Sequence, residues 1–110
     1  MINSIDFKAE QVKLVLTGLI SQTILHYDDS TRDLAKGMVL SVSFEGEIFK
    51  NYNLRVTGVK RTYIDRLTNK DVFLNGFLYK PHLVKFLHEM GFRADDRILR
   101  VDFELIKNNE

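Results

Sequence analysis

Residues 17–27 read TGLISQTILHY, and their reading decides the fold. Gly18 stands where a helix would end. It follows an apolar-faced segment, Phe7 to Thr17, which Asp6 is placed to cap. In that segment Phe7, Gln11 and Leu14 share one side, and Val12, Val15 and Leu16 widen the apolar face. Past the glycine, Ser21 to Tyr27 is rich in strand-forming residues. Alternation sends Gln22, Ile24 and His26 to one face and Ser21, Thr23, Leu25 and Tyr27 to the other. The adjacent Ile24 and Leu25 imply that both faces of this strand are partly covered.

Downstream, Asp28 to Gly37 is a polar loop, DDSTRDLAKG. Met38 to Phe44 is predicted as a strand with Leu40, Val42 and Phe44 inward and Ser41 and Ser43 exposed; Val39 is the apolar exception on the serine side. Glu45-Gly46 is a two-residue hairpin turn. Glu47 to Lys50 returns, Asn51 to Asn53 turns or bulges, and Leu54 to Tyr63 is a long strand with a bulge or barrel bend at Thr57-Gly58. Thr68 and Asp71 have capping-box spacing and predict a short helix that Gly76 ends. Pro81 suits the first turn of another helix, in which Leu83, Phe86, Leu87 and Met90 form an apolar stripe up to Gly91. Asp95-Asp96 turns into a last strand, Ile98 to Ile106, and Asn108 to Glu110 is a frayed tail. The expectation is one α+β domain over residues 1–110, a curved sheet of about five or six strands with two or three short helices. Its predicted core is Leu14, Leu40, Val42, Phe44, Leu54, Val56, Leu83, Phe86, Leu87, Leu99, Val101 and Phe103.

The absence of cysteine excludes a disulfide scaffold, a thiol nucleophile and any cysteine-held metal. The opening MINSIDFKAE lacks the basic-then-apolar order of a signal peptide, and the apolar runs are short, so a cytoplasmic protein with no membrane span is expected. Sixteen basic and fifteen acidic side chains nearly cancel, so any nucleic-acid site must be a local patch. His26, His82 and His88 have no metal-ligand spacing, and neither a metal nor another cofactor is expected.

The chain from about Gln11 to Ile106 resembles the ASCH family, whose fold is a PUA-like β-barrel. The family signature, G-x-K-x-x-[ET]-x-R, aligns with Gly18-Leu19-Ile20-Ser21-Gln22-Thr23-Ile24-Leu25. Lys36-Gly37 before a strand, Leu54 to Val59 as the central strand, Leu67-Thr68 opening a helix, Asn75-Gly76-Phe77 closing it, and Val101 to Leu105 continue the pattern. The spacing from Val39 to Thr68 is similar to that of the small bacterial acetylcytidine amidohydrolases. In those enzymes the resemblance implies a signature lysine, a threonine nucleophile and a downstream glutamate. Here Thr23 keeps the threonine. Ile20 replaces the lysine, Leu25 the arginine, and the glutamate position falls at or next to Asn75. A threonine hydroxyl needs a neighbouring base, and neither isoleucine nor asparagine is one.

Three functional readings follow. The first is a non-catalytic RNA- or nucleotide-binding module, the role the PUA-like resemblance implies. Its cleft would involve Gly18, Ser21, Gln22, Thr23, His26 and Asn75. Its electrostatic rim would be Arg55, Lys60, Arg61 and Tyr63, extended by Arg32 and Lys36, since cations hold phosphates and rings stack on bases. The second is a protein-interaction module that kept the barrel and lost the chemistry. The third is an amidohydrolase or esterase on modified nucleosides, with Thr23 as nucleophile and His26 as its base.

Overall fold

The computed structural model of the chain describes residues 2–108. Ten elements follow in order. They are strand β1 (Ser4–Phe7), a 3-10 turn (Ala9–Gln11), helix α1 (Val12–Leu16), strands β2 (Gln22–His26), β3 (Val39–Phe44) and β4 (Glu47–Tyr63), a second 3-10 turn (Ile64–Arg66), helices α2 (Asn69–Leu74) and α3 (Lys80–Glu89), and strand β5 (Arg97–Lys107). The strands form one mixed sheet in the order β1-β3-β4-β5-β2, with β1 parallel to β3 and the other pairs antiparallel. The sheet curls into a half-barrel, and the architecture is the expected small α+β one.

Local chemistry places most of the joints. Glu45 (φ 48°) and Gly46 (φ 87°) both take the left-handed region, as a two-residue hairpin turn demands. Thr68 Oγ1 accepts from the Asp71 backbone N–H at 3.2 Å while an Asp71 carboxylate oxygen accepts from the Thr68 N–H at 2.8 Å, a complete capping box. Pro81 lies in the first turn of α3, where its missing N–H leaves nothing unpaired. The long β4 carries both expected irregularities. Its register with β3 shifts between Ser41 and Ser43, so that residues 49–52 bulge, and its register with β5 shifts between Val56 and Gly58, leaving Thr57 extra. The absent side chain of Gly58 makes room for Asp102, whose carboxylate lies 3.2 Å from where a Cβ would stand.

Two apolar layers flank the sheet. On one face, Leu99, Val101 and Phe103 of β5 join Leu40, Val42, Leu54 and Val56 beneath α1, whose Val15 is fully buried. On the other face, Ile98 and Ile24 join Val72 of α2 and Leu83 and Leu87 of α3. Burying a side chain such as Ile98 contributes about 1.5–3 kcal/mol. The adjacent Ile24 and Leu25 serve opposite layers, as their succession implied.

Four expectations are corrected. The helix predicted over Phe7 to Thr17 is only α1, and Asp6 caps nothing: Ser4–Phe7 is a strand in register with Ser41 to Phe44 of β3. The Asp6 carboxylate instead accepts from Ser43 Oγ at 2.7 Å and from the Gly46 N–H at 2.9 Å, and this pairing with β1 buries Ser43, which was expected to be exposed. Leu14 and Phe86 are half-buried rather than core, and Met90, at the C-cap of α3, is exposed. Asn108 is held, its N–H donating to Asn51 O and its side chain pairing with Asn53 and Lys50. The rest of the predicted tail lies outside the described residues.

Candidate functional site

The chain enters β2 through a pinned turn. Gly18 (φ 81°) follows the C-cap of α1, the Ile20 N–H donates to Leu14 O, and the Ser21 N–H donates to Leu74 O at the end of α2. Gln22 then points into a polar cluster under α2. Its amide donates to Asp71 Oδ1 at 3.1 Å and to Asp102 Oδ1 at 2.8 Å, and its oxygen accepts from Asn75 Nδ2 at 2.7 Å. Arg100 closes the cluster from β5, 3.3 Å from Asp71 and 3.9 Å from Asp102. Burial pushes the Asp71 carboxyl up. The Thr68 N–H, the Gln22 amide, the Thr68 hydroxyl and the Arg100 charge outweigh that and hold it below the ordinary carboxylate value.

Among the described residues β2 pairs only with β5, and along its other edge runs a cavity of about 190 Å³. Gln22, Thr23, His26 and Asn75 reach it, but most of its wall is apolar, from Ile20 and Phe7 to Phe77 and Phe86. Gly18 and Ser21 do not line it. Gln22 was expected to line the ligand cleft; it is 1% exposed and committed to three partners. His26 lies flat on Phe92, ring centroids 3.8 Å apart, with Asp96 4.0 Å away. Thr23 and His26 are three residues apart on a strand and therefore project to opposite faces.

The cations divide differently from their order in sequence. Arg55 donates to Glu104 at 2.7 Å. Lys60 stands opposite Arg100 and Arg61 opposite Leu99, so the two neighbours point to opposite faces of the sheet. Arg61 joins Tyr27: its guanidinium donates to Tyr27 Oη at 3.1 Å and lies 5.3 Å from the ring centre. The Arg66 guanidinium lies over the Tyr63 ring, also 5.3 Å from its centre. Around these couples lie two hollows. One, of about 200 Å³, is lined by Tyr27, Arg61, Thr62, Tyr63, Arg66 and Arg97. The other, of about 430 Å³, shares Tyr27 and Arg61 and adds Arg32 and Lys36 above a floor of Leu34, Val59 and Leu99. Among the described residues neither lining contains an acid. Arg32 also meets the exposed Asp29 at 3.3 Å.

Tyr27, Arg66 and Arg97 were absent from the sequence-based set. Period-two alternation alone separates Arg61 and Tyr63 from Lys60. Bringing Arg97 opposite Tyr63, with Tyr27 alongside, takes the β4–β5–β2 pairing.

No family model matches the chain, and no curated protein matches it by sequence. Solved structures do. The ASCH domain from Lactobacillus crispatus superposes with a TM-score of 0.67 at 17% identity, over 96% of this chain and 79% of that one. A protein of Enterococcus faecalis assigned to DUF984 gives 0.69 at 15% identity, over 97% and 82%. The hypothetical protein PH0355 gives 0.73 at 17% identity, over 96% and 100%. This chain has the ASCH-like fold.

The residues that the sequence reading aligned with the ASCH signature have definite surroundings. Ile20 is 2% exposed and packs beneath Gly76, where a Cβ would come within 2.8 Å of Ile20 Cγ1. Leu25 packs against the core cluster of Val42, Leu99 and Val101. Asn75 bonds Gln22 and the Asp71 carbonyl. Among the described residues no helix is long and apolar enough to cross a membrane, and no three His, Cys, Asp or Glu side chains are grouped to hold a metal ion.

Proposed function

We propose that this ASCH-like chain acts as a single RNA- or nucleotide-binding domain without hydrolytic chemistry. The observation that carries the reading is the pair of Tyr–Arg couples, Tyr27 with Arg61 and Tyr63 with Arg66, set among Arg97, Arg32 and Lys36 in two acid-free hollows. Rings and guanidinium planes stack on bases, and the surrounding cations neutralise phosphates. The ligand surface on this reading is the Tyr27–Arg61 face rather than Arg55 or Lys60. Hydrolysis is disfavoured by the surroundings of Thr23, because Ile20 is buried, the Asn75 amide is committed, and His26 projects to the opposite face.

Fluorescence anisotropy with a short single-stranded RNA over a salt series tests this. The expected result is saturable binding that weakens with salt, by roughly 0.7 in the log–log slope for each phosphate neutralised. Arg61→Ala with Arg97→Ala should lower both affinity and slope. An absence of binding at low salt would refute the proposal.

One observation favours a second reading, a protein-interaction module: Phe73, Leu78 and Tyr79 are 54%, 72% and 64% exposed around the α2–α3 connection. That reading gains if RNA binding fails and a stoichiometric protein complex is lost on Leu78→Ser with Tyr79→Ser.

A further inference from the structure

We infer that the basic face takes a two-nucleotide step of a single strand, one base in each hollow and the linking phosphate on Arg61. The inference rests on the proposed nucleic-acid role and specifies its ligand.

Arg61 and Tyr27 line both hollows and form the ridge between them. Each hollow has its own base platform. In the smaller, Tyr63 and Arg66 provide a ring and a guanidinium plane. In the larger, Tyr27 stands above Leu34, Ala35, Val59 and Leu99, an apolar floor suited to the face of a base. Arg61 gives one N–H to Tyr27 Oη, and a guanidinium carries five. It can therefore keep the ridge in place and still donate to a phosphodiester. Arg97 and Arg66 flank one side of that phosphate, and Arg32 and Lys36 the other. A patch that worked by charge alone would need neither the rings nor the division.

Two small ligands separate these cases. Adenylyl-adenosine has two bases and a single negative charge on its linking phosphate. Adenosine 5′-monophosphate has one base and nearly two charges at pH 7.5. Binding to the intact protein is measured by isothermal titration calorimetry, with a backbone-amide NMR titration alongside. The expected result is a dinucleotide affinity at least about fivefold above that of the mononucleotide, the effect of one added base–ring stack. The amides of Thr62 and Ala35, one from each hollow, should both shift with the dinucleotide. Tyr63→Leu should bring the dinucleotide down to the affinity of the mononucleotide, and the wild-type comparison stands whether or not that variant folds. A mononucleotide that binds as tightly as the dinucleotide, on a protein that still binds a 20-nucleotide strand, overturns the two-base site and leaves the RNA-binding role intact. Failure of the 20-nucleotide strand to bind overturns both.

Discussion

Asn75 Nδ2 donates to Gln22 Oε1 at 2.7 Å across 53 residues of chain, and both side chains are buried. The bond ties the C-cap of α2 to the first residue of β2. The other end of the Gln22 amide holds Asp71 and Asp102, so one side chain joins α2, β2 and β5.

Gln22→Leu keeps the volume and removes every one of these bonds. Asp71 and Asp102 each lose a donor, and Asn75 loses one of its two acceptors, keeping the Asp71 carbonyl. A buried polar group left with no partner costs about 1–3 kcal/mol, and one that keeps another partner costs less. Arg100 and Thr68 remain on Asp71, so the expected loss is roughly 2–3 kcal/mol. Urea unfolding should show a lower midpoint at unchanged slope. A midpoint that stays put would mean that the cluster is not structural.

Asp71 should make stability fall in acid. Its folded carboxyl ionises more readily than the unfolded one, whose value is about 3.9. The folded state therefore binds fewer protons than the unfolded chain, and the stabilisation is complete above the unfolded value and lost as pH falls through the folded one. Asp71→Asn should be less stable than wild type at pH 7, with the gap narrowing below about pH 4. A gap independent of pH would remove Asp71 from this role.

Gly76 and Gly46 have nearly the same φ, 89° and 87°, but different surroundings. An alanine at either position bears a left-handed backbone, at about 1–2 kcal/mol. At Gly46 the new methyl meets nothing within 4 Å, whereas at Gly76 it meets Ile20 at 2.8 Å. Gly76→Ala should therefore cost roughly 1–3 kcal/mol more than Gly46→Ala. In an Ile20→Ala background that excess should vanish, as a double-mutant cycle of thermal melts would show. Equal costs for the two alanine variants in the native background would contradict the contact.

Lys60 and Arg61 are neighbours in sequence on opposite faces. If RNA lies on the Tyr27 face, Arg61→Ala should reduce the salt slope by about 0.7 and Lys60→Ala should leave it nearly unchanged. Arg55→Ala should resemble Lys60→Ala, because Arg55 pairs with Glu104 at 2.7 Å. A larger effect at Lys60 than at Arg61 would move the site to the α2 side of the sheet.

Much of the fold was legible because its signals are local. The hairpin at Glu45-Gly46, the Thr68–Asp71 box, the stop at Gly91 and the bulge at Thr57-Gly58 each depend on a few adjacent residues and on backbone geometry that their types prefer. The alternation in β3 and β5 showed the buried faces for the same reason. The start of the chain misled because Phe7, Gln11 and Leu14 satisfy a helical period. Only a partner strand, with Asp6 bonded to Ser43, makes Ser4–Phe7 extended. Ser43 looked exposed for want of that same partner.

By itself, then, the sequence determined the α+β class, the turns and caps, and most of the inward faces, since these follow from dihedral preference and periodicity along the chain. The tertiary structure decided what those faces meet. It closed Gln22 into a buried cluster, packed Ile20 under Gly76, and gathered Tyr27, Arg61, Tyr63, Arg66 and Arg97 onto one surface while sending Lys60 to the other. Strand pairing joins residues dozens of positions apart, and a one-residue change of register turns every side chain over, so no local pattern could have assigned those neighbours.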